Sequence, residues 1–159
     1  TYNPVRDIRL PGNLPKAPRQ LPSTEELQII QSHHEGFDFL PFFLINTGLR
    51  KSEALALCYE DIDHAKKEVH INKHLIYYGN QPIIESRTKT VNAIRSVGLV
   101  DRVYDLLPKK KKGLIFCNED GTPYREHQFR RLWKEYQKKY NLTLTKHQLR
   151  HALATMQFE

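Results

Sequence analysis

The spacing of apolar and polar positions changes period along the chain, and the changes outline its elements. Ser23 and Glu26 stand at the spacing of a capping box, and Leu27 and Ile30 give the apolar stripe of a helix reaching about Ser32. Gly36 interrupts it. Phe37 to Asn46 follows as a helix apolar on every side, hence interior, with Pro41 acceptable only in the first turn, where its missing N–H costs nothing. Gly48 predicts a left-handed stop, and Arg50 to Leu57 has the composition to begin another helix. After Asp61 the period falls to two. Val69, Ile71 and Leu75 share one parity and His70, Asn72 and His74 the other, the pattern of a half-buried strand. Gly79-Asn80 is a turn, and a strand from about Ala93 to Leu99 completes a small three-stranded antiparallel sheet with Ile62 and its neighbours.

Helical spacing then returns. Asp101 to about Leu107 is a helix, Leu114-Ile115-Phe116 a short buried segment, and Asp120-Gly121 a turn. Thr122-Pro123 predicts a helix start with Pro in its first position, leading into a stripe of Phe129, Leu132, Trp133, Tyr136 and Tyr140 that belongs to the core. Thr145 and Gln148 open a last helix whose core-seeking residues are Leu149, Leu153 and Met156. The expected fold is therefore α+β, mainly helical with one small sheet, over residues 23–159. Residues 1–22 hold Pro4, Pro11, Pro15, Pro18 and Pro22 and read as a linker or arm. Its Arg6, Arg9, Lys16 and Arg19 either follow a polyanionic backbone or belong to a disordered tail.

Two polar intrusions break this pattern. Arg50 and Glu53 lie three apart in a segment that otherwise seeks the core, an arrangement that taken alone is a structural ion pair at a helix start. His147, Arg150, His151 and Ala154 share the other face of the last helix. Two imidazoles and a guanidinium thus crowd a first turn whose free N–H groups already favour an anion, and phosphate is the natural guest.

Charge points the same way. Lys and Arg number 25 against 18 Asp and Glu, giving +7 and a pI near 9.4, which favours a polyanionic partner. Cys58 and Cys117 fit neither a zinc spacing nor a disulfide framework, and a reducing cytoplasm is the simplest location. His70 and His74 would lie about 13 Å apart along a strand, too far to share a metal, and read as surface residues. No apolar run is long enough for a membrane helix, and no signal-peptide pattern is present. Without a Gly-rich phosphate loop or an acidic cluster for magnesium, neutralising a reacting phosphate falls to cationic side chains. The run Lys109–Lys112 is a solvated helix end that can also touch phosphates.

The stretches Thr47-Gly48-Leu49-Arg50-Lys51-Ser52-Glu53 and His147-Gln148-Leu149-Arg150-His151 resemble the T-G-L-R-x-S-E and H-x-L-R-H motifs of the tyrosine recombinases, the phage and transposon integrase family. The resemblance runs from about Leu21 to the last residue. It implies cutting and rejoining of double-stranded DNA through a 3′-phosphotyrosyl intermediate without metal or cofactor, by protomers assembled into a tetrameric synapse. The parent would be a phage or mobile-element integrase acting in the bacterial cytoplasm, at the nucleoid. By motif, Arg50 and Arg150 would clamp the phosphate, His147 would assist proton transfer and Lys89 would protonate the leaving 5′-oxygen. Glu53 and His151 would support the site.

Lys89 with Thr90, Arg95, Val97 and Leu99 matches the family's K-T…S-x-R-x-[IV]-P-L hairpin, while Ala93 and Gly98 replace its Ser and Pro. None of the tyrosines follows the H-x-L-R-H motif, where the family keeps its nucleophile, so the expected polypeptide is a fragment that binds DNA and does not cleave it. A type IB topoisomerase-like enzyme and a non-catalytic DNA-binding protein of the same fold remain open alternatives.

Overall fold

The computed structural model describes residues 21–86 and 94–156, with side chains followed as far as Leu153. The expected arm, apart from its last residues, and the segment 87–93 that carries Lys89 lie outside the described residues.

Helix α1 (Thr24–Ser32) begins at the expected capping box. Ser23 Oγ accepts the Glu26 N–H at 3.2 Å, and Glu26 Oε2 accepts the Ser23 N–H at 3.1 Å. The other Glu26 oxygen accepts the Thr143 N–H at 2.7 Å, tying α1 to the loop before the last helix. A 3-10 turn (Gly36–Asp38) leads into α2 (Phe39–Thr47), so the apolar helix starts two residues later than its pattern suggests. All nine of its residues are buried, and Pro41 occupies the first turn. Gly48 ends α2 with φ 67°, donating its N–H to the Leu44 carbonyl at 2.9 Å.

The next helix is much shorter than expected. α3 is the single turn Lys51–Ala54, with Arg50 as N-cap. Leu55, Ala56 and Leu57 are buried beyond it, but the chain has to straighten there, because Cys58 bridges antiparallel to Leu114. A 3-10 turn (Tyr59–Asp61) then opens the sheet region.

Strands β1 (Ile62–Asp63), β2 (Glu68–Ile71) and β5 (Arg95–Gly98) form the expected three-stranded antiparallel sheet in the order β1-β2-β5, with Val69 opposite both Ile62 and Val97. The Val69–Leu75 stripe does not belong to one strand. At Asn72 the chain keeps its parity and changes partner, so that β3 (Lys73–Tyr78) pairs with β4 (Gln81–Ser86) in a separate hairpin. His70 is exposed and bonded to Ser96 at 2.8 Å. His74 departs from the surface reading: it is half-buried, 3.9 Å from Glu85.

Helix α4 (Asp101–Leu106) matches its pattern, whereas α5 (Glu126–Tyr140) corrects one. Pro123 lies ahead of α5 rather than in its first position. Arg125 is the N-cap, its N–H donated to Gln128 Oε1 at 2.9 Å, and the Pro123 carbonyl is held by the Asn118 side chain at 3.2 Å. The hairpin turn at Asn80 accepts the His127 N–H at 3.0 Å, fixing the start of α5 beside β3–β4. Phe129, Trp133 and Tyr136 of the aromatic stripe are buried, while Leu132 and Tyr140 are partly so. Finally α6 (Lys146–Met156) packs on α2, and its Leu149 and Ala152 are almost fully buried. Among the described residues no helix is long and apolar enough to cross a membrane.

Candidate phosphate site at the starts of two helices

The site is built where α2 stops. Gly48 turns the chain, Leu49 is buried and anchors it, and Arg50 follows in extended conformation (φ −72°, ψ 148°) with its side chain about half exposed. A β-carbon at Gly48 would stand 2.8 Å from Leu153 Cδ2, so the missing side chain also lets α6 approach this turn. One short turn therefore places Arg50 and sets the seat of the helix that carries Arg150.

Glu53 organises the charges. Its carboxylate has no exposed surface and accepts four hydrogen bonds from two arginines. The Arg50 backbone N–H donates to Oε2 at 2.9 Å and Arg50 Nη1 to Oε1 at 3.1 Å. Arg95, from β5, donates Nη1 to Oε1 at 3.1 Å and Nη2 to Oε2 at 2.9 Å, a parallel two-pronged pair. Burial by itself would raise the Glu53 pKa; the hydrogen bonds from Arg95 and Arg50 outweigh it and bring it down to about 2. Glu53 is thus a permanent anion at neutral pH.

Arg150, half-buried on α6, completes the group. Burial pushes its guanidinium below the ordinary value; repulsion from Arg50 and Arg95 pushes it further, while Glu53 opposes them. Guanidiniums from α3, β5 and α6 therefore surround one carboxylate. Among the described residues the group holds three guanidiniums to one carboxylate, and Arg50 leaves part of the excess charge facing solvent. Such an arrangement binds a multiply oxygenated anion, to which planar guanidiniums donate in pairs.

The structure thus brings Arg50, Glu53 and Arg150 together. His147 is exposed one turn before Arg150, and His151 is exposed directly after it. Lys89 lies outside the described residues. Reading the sequence missed Arg95 as a member of the group, although the residue was visible as the arginine of the hairpin frame. Among the described residues no three His, Cys, Asp or Glu side chains gather in a way that would hold a metal ion.

The family model described as the phage integrase family matches residues 29–158. The chain belongs to the phage integrase family of tyrosine recombinases. It is 27% identical, over 86% of its length, to a protein named "Tyrosine recombinase XerC-like" from Caldanaerobacter subterraneus subsp. tengcongensis, of which it covers 43%. The architecture is that of the tyrosine recombinase catalytic domain. The Tn1549 transposon integrase in complex with transposon right end DNA superimposes with a TM-score of 0.70 at 20% identity, over 89% of this chain and 54% of that one. The same integrase in complex with circular intermediate DNA gives 0.65 at 22% identity, over 86% and 53%. The chain spans about half the length of the relatives it matches.

Proposed function

We propose that residues 23–159 are the phosphate-holding part of a site-specific DNA recombinase of a phage or mobile element, with 1–22 an arm along the DNA. The carrying observation is the pairing of both Arg50 and Arg95 with the buried Glu53 carboxylate, with Arg150 near enough to be repelled by both, which among the described residues leaves cationic charge for an anion. Duplex DNA is the polyanion that the DNA-bound integrases of the same fold suggest.

In this reading Arg50 and Arg150 hold the non-bridging oxygens of one phosphodiester and stabilise the charge that builds in its pentavalent transition state. Glu53 and Arg95 fix the Arg50 guanidinium, His147 bonds the phosphate and assists proton transfer at the nucleophile, and Lys89 protonates the departing 5′-oxygen. His151 supports the site. The reaction stores the phosphodiester energy in a 3′-phosphotyrosyl bond and returns it when another strand's 5′-hydroxyl attacks, between protomers joined in a synapse on cytoplasmic DNA.

Four of the described tyrosines are poor nucleophiles for this site. Tyr59 and Tyr136 are buried, and Tyr140 donates to Asp38. Tyr77 donates to the Tyr124 carbonyl, and burial pushes its hydroxyl up to about 12. In this reading the 159-residue polypeptide binds DNA and forms no covalent adduct alone. Incubation with a nicked suicide duplex tests this: no adduct should survive denaturation, whereas retention of duplex should fall steeply as salt rises. Absence of duplex binding at low salt would refute the proposal. In a longer polypeptide that supplies the tyrosine, exchange between specific sites separates a recombinase from a topoisomerase-like enzyme, which would only relax supercoils.

A further inference from the structure

Next in the chain to Arg50 and to His147, two lysines share one aromatic ring. Lys51 Nζ lies 4.9 Å from the centre of the Phe129 ring and 5.6 Å from that of Tyr77, and Lys146 Nζ lies 5.3 Å from the same Phe129 ring. Both lysines are half-buried. Among the described residues neither ammonium has a carboxylate within 4.0 Å. Glu126, the carboxylate that borders both, is already engaged by Arg130 Nη2 at 2.7 Å. Three cations thus gather around one acid.

The arrangement is costly without a ligand. Burial pushes both ammoniums below their ordinary range, and for Lys51 the charge of Lys146 adds to it. A carboxylate in place of Phe129 would hold the ammoniums and cancel them; the ring face holds them and leaves their charge available.

We propose that Lys51, Lys146 and Arg130 form a second phosphate seat, which takes the DNA backbone phosphate adjacent to the one held by Arg50 and Arg150. The inference rests on the DNA reading above and extends it to the neighbouring nucleotide. Lys51 directly follows Arg50, and Lys146 directly precedes His147. Arg50 is the extended N-cap and Lys51 the first residue of α3, while Lys146 stands one turn ahead of Arg150 on α6, so the same two helix starts supply neighbouring cations to both seats. Ammonium is a compact point charge that neutralises a phosphate without demanding one orientation. The second seat therefore contributes affinity and register along the strand rather than chemistry.

The test is duplex binding by the 159-residue chain, followed by fluorescence anisotropy between 50 and 200 mM salt. Lys51→Gln with Lys146→Gln should lower affinity and make the log–log salt slope shallower by about 0.9, one phosphate contact. Glu126→Gln, which removes the competing acid and leaves every cation in place, should tighten binding several-fold. A double variant that melts like the parent and keeps the parental slope overturns the second seat. Should that variant fail to fold, unchanged affinity of Glu126→Gln overturns it instead. If the parent chain itself shows no salt-dependent duplex binding, the DNA reading fails; a steep parental slope with unaltered variants removes only the second seat.

Discussion

Leu153 Cδ2 occupies the space where a β-carbon on Gly48 would point, 2.8 Å away. With Gly48 at φ 67°, a side chain there meets both backbone strain and the packed face of α6. Gly48→Ala should cost about 1–2 kcal/mol for the left-handed conformation and up to about 1–3 kcal/mol for overpacking, depending on how far Leu153 can shift. In a Leu153→Ala background the same substitution should cost only the backbone part. Urea denaturation of the four proteins of this cycle measures the difference, and additive costs would mean that Leu153 does not set the seat of α6.

Acid should weaken the fold through Glu53. Its folded pKa of about 2 lies below the ordinary value of 4.5. The carboxylate therefore contributes stability in full above pH 4.5, and this is lost as pH falls toward 2. The shift corresponds to about 3 kcal/mol at neutral pH. Melts between pH 7 and pH 2 should show this loss for the parent chain. Glu53→Gln should already be less stable at neutral pH, by about 3–5 kcal/mol for breaking a buried pair, and should show a flatter acid limb.

Arg95 should resist even conservative replacement. Its two parallel bonds to Glu53 need a planar fork, which lysine lacks. Arg95→Lys should cost about 1–3 kcal/mol in stability and weaken DNA binding through a less well held Arg50. Equal stability of the lysine variant, by thermal melting, would show that charge alone suffices at this position.

Much of this architecture was legible in local signals. The Ser23–Glu26 box, the left-handed Gly48 and the Val69–Ile71 parity depend on neighbouring residues and were read directly from the sequence. What escaped depends on distant partners. Arg50 to Leu57 has helical composition, yet the bridge from Cys58 to Leu114 ends α3 after one turn. Lys73 to Tyr78 continues the β2 parity but finds its partner across a turn of its own, at Gln81–Ser86. Pro123 looked like a first-turn proline until Gln128 capped the helix from Arg125. At the site, Arg50, Glu53 and Arg150 stood out because charges interrupted apolar patterns. Arg95 is 42 positions from Glu53, and no spacing rule connects a strand arginine with a helix-start carboxylate over that distance.

The central claim is that Arg50 and Arg150 grip one phosphate together. The most direct measurement is a double-mutant cycle on duplex affinity at fixed low salt, using Arg50→Ala, Arg150→Ala and both. Convergence on a single phosphate predicts that the double variant loses at least about 1 kcal/mol less than the sum of the single losses, because either substitution already spoils the shared grip. Losses that add to within about 0.3–0.5 kcal/mol would place the two arginines on separate phosphates and contradict the account.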